Sequence, residues 1–176
     1  MPITLFCIHG NHKIRPQTIP SYKEIQWHGG IVYRENEYPN ILLAKDDEVY
    51  DLDGINAIAI GDAYSVDKQD HLDNSWGWWE DERPSNEIKA RVENALDDRD
   101  NKIDVVLSHT TPLKYEPGEM LLSCIDQSKV DKLTEEWLDK IEKKVEYKKW
   151  FCGHYHTNKS IDKLTILLED ILVFSL

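Results

Sequence analysis

Cysteine is scarce in this chain. There are three, Cys7, Cys124 and Cys152, odd in number and widely spaced. That excludes a disulfide framework and makes a reducing cytoplasm the expected compartment. Cys7 and Cys152 fall in strand-like runs and read as small buried hydrophobes. Long apolar runs are missing too. Nothing approaches the roughly 20 residues of a membrane span. The first residues carry no basic segment and no small-residue cleavage site, so neither a signal peptide nor a membrane partner is expected. Cations are outnumbered, 21 Lys and Arg against 33 Asp and Glu, for a net charge of −12. Non-specific affinity for nucleic-acid backbone or anionic lipid is therefore not expected.

What is present suits an ordinary folded domain. The 176 residues are 40% hydrophobic and 31% charged, without repeats or a low-complexity linker, and read as a single domain, 1–176, with a real core. Residues 3–8 form an apolar, β-branched run, predicted as a strand buried on both faces. Residues 16–40 are broken by Pro16, Pro20, Gly29-Gly30 and Pro39, which predicts short pieces. Asp53-Gly54 between 48–52 and 55–60 predicts a tight hairpin.

Ser85 after Pro84 is positioned to cap a helix whose apolar face is Ile88, Val92, Ala95 and Leu96. Residues 103–108 read as a buried strand. A helix over 128–147 follows, with Val130, Leu133, Trp137, Ile141 and Val145 as its stripe. Further strands are predicted over 150–152, 164–168 and 171–176. Strands and helices intermixed in this way imply an α/β fold, a layered arrangement with a mixed sheet or two sheets.

Four of the seven histidines lie in three short stretches, each directly after a strand-type run: Gly10-Asn11-His12, Ser108-His109-Thr110 and Gly153-His154-Tyr155-His156. Loops at strand ends are where open α/β sheets place their chemistry. Imidazoles with an amide oxygen suit Zn, Mn, Fe or Ni better than Ca or Mg. On extended backbone, His154 and His156 would point the same way, and Tyr155 between them away from the site.

The order Gly-Asn-His, a strand ending Ser-His, then Gly-His-x-His resembles the last three motifs of the calcineurin-like metallophosphoesterases. Residues 60–68 and 78–85 also resemble segments of one bacterial and phage branch, so the likeness covers most of the chain. It implies a layered sandwich of mixed β-sheets flanked by helices. It also implies a two-metal phosphoesterase in which a bridging hydroxide attacks a phosphate ester. By position, Asn11, His109 and His154 would bind one divalent transition metal, Mn, Fe, Zn or Ni, and His156 a second. His12 would be catalytic, stabilising the phosphate or protonating the leaving oxygen. Arg15 would either contact phosphate or be an exposed arginine.

The family's opening Asp-x-His and Gly-Asp-x-x-Asp motifs are not in this sequence, and Lys13 stands where an acidic residue is usual. Gly61-Asp62 with Asp67 is no replacement, because it follows Gly-Asn-His. The expectation is a chain lacking the first βαβ portion of the fold, reduced in activity, that associates with itself or with a missing N-terminal fragment. The rival expectation is a non-catalytic metal-binding remnant, or one piece of a split protein acting as an interaction module. Trp76, Trp78 and Trp79 line a substrate pocket or pack a core, with Glu82 anchoring their loop. His9, His28 and His71 are structural or solvated.

Overall fold

The computed structural model describes residues 3–66, 68–74, 78, 79, 81–121 and 126–173. Asp67, Trp76, Cys124 and the end of the predicted 171–176 strand lie outside them. Among the described residues, ten strands form two sheets, and of three α-helices, the first being α1 (Lys68–Asp73), two pack on one of the sheets.

The first sheet has the order β1-β4-β3-β2, from β1 (Leu5–Cys7), β2 (Tyr22–Trp27), β3 (Gly30–Glu35) and β4 (Ile41–Ala44). β1 runs parallel to β4, and the other pairs are antiparallel. The second sheet begins with β5 (Val49–Leu52), β6 (Ile55–Ile60) and β7 (Val105–Ser108). It continues through β8 (Lys149–Cys152), β9 (Lys159–Ile161) and β10 (Leu164–Ile166), in the order β5-β6-β7-β8-β10-β9. Its middle strands, β6, β7, β8 and β10, are parallel, and antiparallel strands close both edges.

Strand β6 shows how one sequence serves two layers. Ile58 and Ile60 pack into the cluster shared with helices α2 (Asn86–Asp97) and α3 (Leu133–Lys144), among Val92, Leu96, Leu138 and Trp150. Ala59, on the opposite face, joins Val32, Leu42, Ala44 and Tyr50 between the sheets. Small residues on that face let the first sheet approach closely. The period-2 alternation of a strand thereby becomes a sandwich of sheet, sheet and helices.

Helix α2 begins as predicted. Ser85 Oγ accepts from Ile88 N, and Ile88, Val92 and Leu96 are buried. The Asp53-Gly54 hairpin also forms, with both residues at positive φ (56° and 87°).

Several expectations are corrected. β1 is not buried on both faces: it lies at the edge of its sheet and Leu5 is 52% exposed. Residues 16–40 do form short pieces, and two of them, β2 and β3, pair as a hairpin about His28-Gly29. Those two residues take positive φ (49° and 86°), the backbone a tight two-residue turn requires. Charged residues on the exposed side of β2 hide its alternation. β4 and β9, four and three residues long, were too short to stand out. Helix α3 is shorter than 128–147. Leu133, at its first position, is exposed, and Leu138 takes the core place expected of it. Residues 171–173 form no strand and are exposed. Among the described residues no helix is long and apolar enough to cross a membrane.

Candidate functional site

The three histidine loops leave the carboxyl ends of β1, β7 and β8 and converge. Strands β7 and β8 are parallel neighbours, so their following loops emerge side by side. His109 N donates to Ile60 O (2.9 Å) and Gly153 N to His109 O (3.0 Å), which ties the two loops together. The β1 loop belongs to the other sheet and is fastened by Asp62 N donating to His9 O (3.0 Å).

Asn11 and His109, 98 positions apart, meet directly: His109 Nε2 donates to Asn11 Oδ1 at 2.7 Å. The amide's orientation follows from its other end, where Asn11 Nδ2 donates to Ser65 Oγ (2.8 Å). Ser65 is itself held by its N–H on Glu82 Oε1 (3.0 Å). Asn11, Ser65 and Glu82 are all buried, so the side chain carrying Oδ1 is fixed from behind. Gly10 is required by the same approach. A Cβ there would lie 2.9 Å from His109 Cε1.

The His154 ring packs edge-on to His109 with centroids 5.0 Å apart. Burial, reinforced by the neighbouring His154, holds His109 neutral, with its pKa lowered to about 3. A neutral imidazole is the form that binds a metal, and Nε2 would do so with the ring proton moved to Nδ1, in place of its bond to Asn11.

His12 is exposed on the cavity wall, stacked on His71 at a centroid distance of 5.0 Å. His71 is thus a half-buried ring partner of His12. His154 and His156 are not on extended backbone. Both take positive φ (67° and 49°), so a tight turn rather than strand alternation directs them, and His156 is exposed. The Tyr155 hydroxyl turns to Thr110 Oγ1 and Glu116 Oε1, 3.4 Å from each.

These groups border a cavity of about 370 Å³. Asn11, His12, His109, His154 and His156 give it a polar side, and Val66, Met120 and Leu121 an apolar one. No carboxylate lines it among the described residues. Nor do those residues contain a group of three or more His, Cys, Asp or Glu side chains placed to hold a metal ion. With Asn11 counted, the donors are one oxygen and two nitrogens. Asn11 Oδ1 and His109 Nε2 already face each other with His154 beside them, which fits part of one transition-metal shell. His156 has no comparable partners among the described residues.

Arg15 is neither exposed nor in this cavity. It is 5% exposed, paired with Asp46 (3.0 Å) and with Asp62, and its Nε donates to Asp81 O (2.8 Å). Asp62 also pairs with His9, which is buried and structural. Asp62 is thus engaged behind the β1 loop and is not a ligand in waiting. The sequence signal for this support was Gly61, where a Cβ would lie 2.8 Å from Asp46 Oδ1 and 3.0 Å from His9. Ser65 carried no local pattern that announced its contact with Asn11, nor Glu82 one that announced its hold on Ser65.

A family model described as calcineurin-like phosphoesterase matches residues 1–158. Comparison with curated proteins gave no match, and comparison with solved structures gave none.

Proposed function

The chain belongs to the calcineurin-like phosphoesterase family, and from that premise we propose that it is a metal-dependent hydrolase of phosphate esters. Asn11, His109 and His154 would hold a divalent transition metal, Mn, Fe, Zn or Ni, and His156 would contribute to a second position. The observation that carries this reading is the meeting of Asn11 Oδ1 and His109 Nε2 at 2.7 Å beside His154, from three loops remote in sequence.

When bound there, such an ion supplies Lewis acidity and a nucleophile at neutral pH. The chain's own residues do the rest. Glu82 and Ser65 keep the Asn11 oxygen aimed, and Gly10 leaves room for the His109 ring. His12, exposed in the cavity lining, would meet a phosphate oxygen and donate a proton to the leaving group. Stacking on His71 restricts the orientations of its ring. The net charge of −12 favours small esters over long nucleic acids. The free thiols of Cys7 and Cys152 are consistent with the cytoplasm.

A second reading, a single metal held without catalysis, is favoured by one observation: the cavity has no carboxylate among the described residues to bridge two ions. Metal stoichiometry, measured together with hydrolysis of p-nitrophenyl phosphate and its bis ester in Mn, separates the two. Hydrolysis lost in His109→Ala and His154→Ala supports the enzyme. One metal per chain with no hydrolysis supports the second reading. Less than one metal, unchanged by both substitutions, removes the site assignment.

A further inference from the structure

A second cleft, of about 670 Å³, shares no lining residue with the histidine cavity. Arg83, Ser85 and Lys89 border it from the start of α2, and Leu133 and Thr134 from the start of α3. In a chain of net charge −12, its lining carries three cations, Arg15, Arg83 and Lys89, against one carboxylate, Asp81.

Two of those cations are already engaged: Arg15 with Asp46 and Asp62, and Arg83 with Asp131. Lys89 has no ion pair among the described residues. Its only contact of that kind is the Trp137 ring, 5.5 Å from Nζ. Thr134, in the same lining, is 1% exposed and its hydroxyl has no hydrogen-bond partner. A buried hydroxyl left unpaired costs free energy that a ligand group can recover. Both unmatched donors sit at the positive ends of 12-residue helices.

We propose that this cleft binds a small organic phosphate, with the phosphate between Lys89 and Thr134 and the organic part on Pro84, Ile88 and Leu133. Leu133 is 56% exposed and so is free to receive an apolar group, which is why an ester fits the cleft better than the inorganic ion. Burial, and after it the charge of Arg83, draw the Lys89 pKa below its ordinary value. A phosphate beside Lys89 offsets the repulsion from Arg83. This site does not depend on the metal reading.

The test is a titration of the EDTA-treated full chain, ¹⁵N-labelled and carrying His109→Ala to disable the other cavity, with phenyl phosphate and with inorganic phosphate. The expected result is amide shifts at residues 85–89 and 133–134, with phenyl phosphate binding more tightly than inorganic phosphate. Lys89→Gln and Thr134→Val should each weaken binding by about fivefold or more, the effect of one lost hydrogen bond to a charged group. Lys89 is half-buried and Thr134 buried, so the Lys89 variant keeps the test decisive if Thr134→Val fails to fold. Shifts confined to residues 11–12 and 153–156, equal binding of the two phosphates, or full affinity in Lys89→Gln would each overturn the proposal.

Discussion

Gly10→Ala is the most informative single perturbation of the histidine cavity. The added Cβ would lie 2.9, 3.3 and 3.4 Å from His109 Cε1, Nδ1 and Nε2. Carbon atoms rest at roughly 3.5–4.0 Å, so the ring must retreat by about 0.6 Å or more. Its backbone cannot follow, because Ile60 O holds His109 N and Gly153 N holds His109 O. The ring must therefore swing, which breaks the 2.7 Å bond to Asn11 Oδ1. Without metal, the ring can relax into the adjoining cavity of about 370 Å³. A bound ion would pin it against the methyl group. The overpacking cost, about 1–3 kcal/mol, then falls mainly on the bound state. Affinity for Zn or Mn should drop about 5- to 150-fold, while the unfolding midpoint moves little. Isothermal titration, or competition with a chromophoric chelator, measures this. Gly118→Ala is the control, since nothing lies within 4 Å of its Cβ position. If Gly10→Ala keeps wild-type affinity, the His109 ring is not where metal binds.

Three further outcomes test the support around the site. Arg15→Met should cost about 3–5 kcal/mol in urea unfolding, because it strands the buried carboxylates of Asp46 and Asp62. Ser85→Ala, which removes only the α2 cap, should cost about 1 kcal/mol and leave metal affinity unchanged. The third concerns pH. Burial lowers the His9 pKa, but the Asp62 contact outweighs it, so the net shift is upward from the ordinary 6.5. The stability this group contributes is complete below 6.5 and is lost as pH rises through the raised value. Burial pushes Asp62 up to about 6 from 3.8 despite His9 and Arg15, so it too removes stability as pH rises between those values. The thermal midpoint should therefore decline on raising pH through this range, more steeply in the wild type than in His9→Gln. A flat profile in both would show that the pair does not titrate as described.

The sequence by itself determined the family resemblance carried by the three loops and the elements that carry strong local signals. Gly-Asn-His, Ser-His and Gly-His-x-His were legible because each follows an apolar strand, and their order carried the family resemblance. The cap at Ser85 and the turn at Asp53-Gly54 were legible because capping and tight turns depend on a few adjacent residues. β2 and β3 were not, since their pairing buries only part of β2 and charged residues obscure the alternation. The edge position of β1 was equally hidden, because an apolar run does not state how many neighbours it has.

Tertiary structure alone decided which of the candidate residues meet. It brought Asn11 to His109 across 98 positions and enlisted Ser65 and Glu82 to aim the amide. It withdrew Arg15 into a buried ion cluster and stacked His71 on His12. The physical reason is range: propensity, caps and turns act over a few residues. Contacts between distant loops depend on strand order and register, which are settled only when both sheets and their helices share a core.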